Sequence, residues 1–309
     1  MTLLLLVPLL VPFVVGLPAR RCLDRLAPAT ALWSVTLAMV VLAGSSVASL
    51  GALVLTGLLK IPFLAGPGDL VHPLRTASDL VVLPMAAAAT GALTVGAWTV
   101  VRSALRQLRA FRSARVQADR RPAAGDLCVI ESPHPDAYAL PGRPHRIVVT
   151  TAMLRSLGAD EREALFAHER AHNAGGHHRF LVAAELAAHC HPGLRAVRGT
   201  VALAAERVAD EAAAVAVGDR RLTARAIARA ALAAADARSD RPGLAPAATT
   251  GPVPQRVAAL LAAPRHRPRA AAWIAVLLAA CAAVSAGASG AGVLVFHHEV
   301  EVAQGEEPR

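Results

Sequence analysis

Four stretches of this chain carry no charge for longer than a buried helix in a small domain needs, and that limits the fold more than any other feature. The longest runs from Ala29 to Leu59. A bilayer core needs about 20 apolar residues as a helix, so this run must tilt or protrude. Two others lie between Asp79 and Arg102 and between Arg269 and His297. The N-terminal run, Thr2 to Leu17, is shorter and contains Pro8 and Pro12. Its charges follow the apolar part rather than precede it, so it reads as a span and not as a cleaved secretory leader. The expectation is a mostly α membrane protein with four transmembrane helices, at about 2–17, 29–59, 80–101 and 270–296.

Arginine placement sets the orientation. Arg20, Arg21 and Arg25 follow the first span, Arg102, Arg106, Arg109, Arg112 and Arg115 follow the third, and Arg265, Arg267 and Arg269 precede the fourth. The loop after the second span has only Lys60 and Arg75, set against Asp69 and Asp79, and the tail 297–309 is acidic. Positive flanks stay in the cytoplasm. Both termini are therefore expected outside and residues 102–269 inside, in the inner membrane of a bacterium, with the arginines near anionic lipid headgroups. The Arg and Ala excess matches the codon bias of a GC-rich genome. The formal charge of +10 comes with 3% aromatics and no zinc-finger spacing, so nucleic acid is not an expected partner. Cys22, Cys128, Cys190 and Cys281 are scattered, with no disulfide framework.

The inner segment 102–269 mixes strand and helix signals. Arg102–Arg121 reads as a basic helix leaving the membrane. Leu127–Glu131 and the β-branched Arg146–Thr151 read as strands, with the turn-rich Pro133–Gly142 between them. Asp160 and Glu163 have the spacing of a capping box. They precede His168-Glu169-Arg170-Ala171-His172, an H-E-x-x-H motif. Two histidines four apart on a helix leave the same face and can grip one zinc ion, and Glu169 is the expected general base. Gly175-Gly176 ends or loosens that helix. Val197–Val217 and Leu222–Ala237 read as further helices, and 239–255 as a loop.

The third metal ligand has two candidates. His178 completes H-E-x-x-H-x-x-G-x-x-H, the metzincin pattern, but none of Met1, Met39, Met85 and Met153 follows it to make the methionine turn that pattern requires. Glu206 lies on the next strong helix with Asp210 four residues on. Glu206 is the expected ligand and His178 the rival, with Asp210 holding a ligand histidine's other ring nitrogen. Ile147, Val148 and Val149 are the expected edge strand for an extended substrate.

Together, the His168–His172 helix, Glu206 with Asp210, and Tyr138–Gly142 ahead of strand Arg146–Thr150 resemble the membrane-embedded gluzincin metallopeptidases. The spans match the BlaR/MecR type, and the motif set is shared with the related HtpX and CAAX-processing branch. The resemblance implies an α+β zincin-like domain, a zinc cofactor and endopeptidase activity on a cytosolic or membrane-associated protein. A transcriptional repressor is the target implied by the first branch, damaged membrane proteins by the second. A non-catalytic signalling protein with a relict zinc site is the alternative from another class. The chain has only a short tail where BlaR and MecR receptors carry a penicillin-sensing domain, so direct β-lactam sensing is not expected.

Overall fold

The computed structural model describes residues 2–60, 79–235, 252–262 and 272–303. The N-terminal run forms two helices, α1 (Thr2–Val14) and α2 (Gly16–Arg25), bent by 47°. Proline explains part of this region's wiring. Pro12 has no N–H, which leaves the carbonyl of Pro8 without its helical donor. The hydroxyl of Ser46 donates to that carbonyl at 2.8 Å and so ties α1 to α3 (Pro28–Leu58).

Helix α3 has 31 residues, about 46 Å at about 1.5 Å per residue, well beyond the roughly 30 Å of a hydrocarbon core. Leu32, Val35, Met39 and Leu42 share one buried cluster with Leu194, Val197 and Val201 of the site domain.

The third apolar run and the basic stretch after it are one unbroken helix, α4 (Asp79–Asp119), rather than a span followed by a separate helix. Arginine is a good helix former, so the charge at residue 102 marks where apolar surface ends and not where the helix does. The last helix, α11 (Ala272–Ala303), packs on α3, where Ser49 donates to Ser289 at 3.3 Å across a seam of small residues. Among the described residues, three helices are long and apolar enough to cross a membrane, and four if the bent α1–α2 pair counts as one span. That suggests a membrane protein. The remainder of the expected acidic tail beyond Ala303, and most of the expected loop 239–255, lie outside the described residues.

Between α4 and α11 sits a small α+β unit. Its sheet contains β1 (Ala123–Ala124), β2 (Leu127–Ile130), β3 (Ala137–Leu140) and β4 (Arg146–Thr150), in the order β1-β2-β4-β3. β2 runs parallel to β4, and β3 runs antiparallel to it. This overturns the edge-strand expectation for Ile147, Val148 and Val149. Val148 pairs with Cys128 on one side and Tyr138 on the other, so β4 has no free edge for a substrate. Among the described residues the strand paired on one side only, next to the motif helix, is β3. The short helix α5 (Thr151–Ser156) follows β4 directly, its first turn capped by the Thr150 hydroxyl.

Helix α6 (Ala159–Ala174) carries the H-E-x-x-H motif. Its cap is Gly158, whose N–H donates to the carboxylate of Glu161 at 3.0 Å. The expected Asp160/Glu163 box is therefore displaced: the capping acid is Glu161, which also takes Arg225 and Arg229. After a left-handed Gly176 (φ +60) the chain turns into α7 (His177–Cys190), and a one-turn 3-10 helix (Pro192–Leu194) leads to α8 (Arg195–Val217). Helices α9 (Arg220–Ala234) and α10 (Val253–Leu261) complete the unit.

Candidate metal centre

The motif helix buries one broad face. Ala164 and Leu165 are 1% exposed, and Leu165 packs with Val149, Met153 and Leu157 from the sheet and α5. Further along the same face come His168, Glu169 and His172, each 0% exposed. Helix α8 crosses this face. Its Ala204, Ala205, Ala209 and Ala213 are fully buried, and such small side chains let the two backbones come close enough for a glutamate to span the gap. Glu206 and Asp210, four residues apart and both 2% exposed, therefore point into α6.

Nε2 of His168 lies 3.0 Å from Nε2 of His172 and 3.5 Å from Oε2 of Glu206. Nε2 of His172 lies 3.5 Å from Oε1 of Glu206. Each residue offers a ligand atom within 4.8 Å of the others, a group able to hold a metal ion. Four-coordinate zinc with bonds of about 2.0–2.2 Å needs ligand atoms roughly 3.3–3.6 Å apart; both nitrogen–oxygen spacings match, and the nitrogen–nitrogen spacing of 3.0 Å needs only a small spreading of the two rings. The surrounding polar contacts agree. Asp210 Oδ1 sits 3.0 Å from Nδ1 of His168. An ionised carboxylate can only accept, so its closeness favours the tautomer with the proton on Nδ1 and the Nε2 lone pair facing the centre. Nδ1 of His172 is likewise engaged, 2.8 Å from Nδ1 of His177.

The electrostatics follow from burial and these pairings. Burial would push the His168 imidazole down, but Asp210 and Glu206 outweigh it and raise it to about 9 without a metal. For His172 burial prevails over the pull of Glu206, and its pKa falls. His177 is lowered further, to about 3, by burial and then by His172. Burial alone would raise Glu206, yet Arg256 and His172 hold it well below the usual carboxylate range.

Of the sequence-predicted residues, His168, Glu169, His172, Glu206 and Asp210 are brought together. His178, the rival third ligand, is not in the group: it is half-buried, with Arg179 and His145 nearby. It is His177, one residue earlier, that turns inward. Two residues escaped the sequence reading. His177 was overshadowed by the metzincin spacing of His178. Arg256, on α10 and 0% exposed, donates to Asp210 and forms an ion pair with Glu206, 3.0 Å from its Oε2. Its one available signal was a single charge in the otherwise apolar turn Val253–Leu261.

No curated protein and no solved structure shows significant similarity to the chain. Residues 104–203, about a third of the chain, match the model of peptidase family M48, which supports a metallopeptidase of that family.

Proposed function

We propose that this chain is a membrane-embedded zinc endopeptidase whose catalytic unit faces the cytoplasm. The observation that carries the reading is the sealed His168/His172/Glu206 group with Glu169 adjoining it on the same helix face. His168, His172 and Glu206 would hold the ion, with Asp210 and His177 orienting the two rings. Zinc in such a site supplies a Lewis acid that polarises a scissile carbonyl and acidifies water. Glu169 accepts the proton of the attacking water and returns it to the leaving amine. The free edge of β3, Ala137–Leu140, rather than β4, is where an extended peptide would pair beside α6.

The cytoplasmic placement is supported by the arginine flanks of the spans. For the substrate, the BlaR/MecR resemblance favours a cytosolic repressor. The packing of the catalytic unit onto α3 favours a second reading, an HtpX-like protease that takes membrane-associated proteins. The test is purification of wild type and Glu169→Gln, with zinc content and proteolysis measured on both. Stoichiometric zinc in both, with proteolysis in wild type alone, is expected. Wild-type protein that carries no zinc, or cleavage that persists in Glu169→Gln, would refute the enzyme reading and leave the relict site. Loss of a repressor in cells expressing wild type but not Glu169→Gln separates the two substrate readings.

A further inference from the structure

An arginine in a sealed interior is costly unless its charge and donors are met. Arg256 is 0% exposed, and its guanidinium is turned onto groups of the metal centre. Nε donates to Asp210 Oδ2 at 2.8 Å, one terminal nitrogen donates to Asp210 Oδ1 at 2.6 Å, and the other lies 3.0 Å from Glu206 Oε2. This is a fork closed on two carboxylates at once, a geometry a guanidinium matches and an ammonium cannot. Asp210 Oδ1 is also the atom facing Nδ1 of His168, and Glu206 is the expected third ligand.

The backbone behind the fork is itself held. Arg220 on α9 donates to the carbonyls of Leu260 and Ala259, and Leu260 packs with Ala214, Ala224 and Ile227. Helix α10 is thus docked on α8 and α9, and Arg256 reaches from it into the site.

We propose that Arg256 is a positioning residue of the metal centre: its guanidinium fixes the Glu206 carboxylate directly and the His168 ring through Asp210. This rests on the metal-site reading above. With one oxygen of Glu206 held by Arg256, the other is left to face the ion, and the ligand set is complete only when α10 is docked. A plain structural ion pair between α8 and α10 would tie the helices together with no effect on how tightly the site holds a metal.

The test uses the full chain in detergent, with zinc affinity measured by chelator competition and the visible absorption of the cobalt-substituted site recorded. Arg256→Met is expected to weaken zinc binding by about 10- to 100-fold and to shift the cobalt bands, as loss of an orienting partner does. Arg256→Lys keeps the charge without the fork and is expected to restore folding but only part of the affinity. Combining Arg256→Met with Asp210→Asn should cost little more than the worse single change, because both act on one chain of contacts. Wild-type affinity with an unshifted cobalt spectrum in folded Arg256→Met, or full recovery of both in Arg256→Lys, overturns the proposal. Full additivity in the double variant does the same. Wild-type protein that binds neither ion overturns instead the metal-site reading on which the proposal stands.

Discussion

Replacing Gly175 with alanine separates metal binding from folding in a way the geometry makes explicit. Gly175 ends α6 with φ −77 and ψ −8, a conformation any residue adopts. The backbone should therefore gain roughly 0.4–1 kcal/mol from the restricted unfolded chain. The side chain is the obstacle. A Cβ there would lie 2.5 Å from Nε2 and 2.8 Å from Cδ2 of His177, where ordinary contact begins at 3.4 Å, a shortfall of about 0.9 Å. The ring cannot slide ahead of the methyl, because its opposite edge already meets Nδ1 of His172 at 2.8 Å. It must rotate out of the contact. A buried hydrogen bond worth about 1–3 kcal/mol is then lost, and the net cost to folding is small. The orienting partner of His172 is lost with it, so zinc affinity should fall by about 10- to 100-fold. Chelator competition measures the affinity, and thermal unfolding with chelator present measures the fold. His177→Ala removes the obstructing ring, so adding Gly175→Ala to it should change affinity no further. Wild-type affinity in Gly175→Ala, or a further loss in the double variant, would refute the reasoning.

Three more outcomes follow from the same coordinates. Glu206→Gln should abolish bound zinc while His178→Ala leaves it unchanged, read as zinc per chain; the reverse would restore the metzincin assignment. Glu161 is 3% exposed: burial would raise its pKa, but the Gly158 N–H, Arg229 and Arg225 more than offset this and hold it below the usual value. A depressed folded pKa stabilises at neutral pH and is lost as pH falls through it. Glu161→Gln should therefore cost about 1–3 kcal/mol near pH 7 and progressively less on acidification, seen in melting temperature against pH. Ser46→Ala strips the donor from the Pro8 carbonyl and should destabilise the spans by on the order of 0.6 kcal/mol, up to about 1.7, in detergent unfolding.

What the sequence made legible is what is encoded by short spacing. His168 with His172, and Glu206 with Asp210, are each four apart on one helix, so their shared faces follow from helical periodicity alone. The uncharged runs are equally local. The missed features depend on contacts between distant segments. β4 is the most β-branched strand and looked like an edge, yet its place is fixed by a parallel partner 20 residues upstream, as at Cys128↔Val148, which no local pattern records. Whether His177 or His178 turns inward depends on the helix phase set after the left-handed Gly176. Arg256 lies 46 residues beyond Asp210 on another helix, with nothing nearby in the chain to announce its partner.

The ligand set is divided between two supports, and that division makes a last prediction. His168 and His172 stand on α6, which packs on the sheet, α8 and α9. Glu206 and Asp210 stand on α8, which packs on α2 and α3, and Arg207 between them donates to the carbonyl of Leu23 on α2. The catalytic unit therefore has no core of its own on this side. Leu194, Val197, Val201 and Leu203 share one buried cluster with Leu26, Leu32, Val35 and Met39. Cutting the unit out as residues 120–262 would expose those four side chains, at about 1.5–3 kcal/mol each and so on the order of 6–12 kcal/mol together. That is comparable to the roughly 5–15 kcal/mol that holds an ordinary domain folded. The excised fragment should aggregate, or stay soluble without a cooperative thermal transition and without tight zinc binding. Substituting Leu194, Val197, Val201 and Leu203 with polar residues would improve its solubility but leave α8 without the surface that aims Glu206. A soluble wild-type fragment that melts cooperatively and binds zinc as tightly as the full chain would show that the spans anchor the site without shaping it.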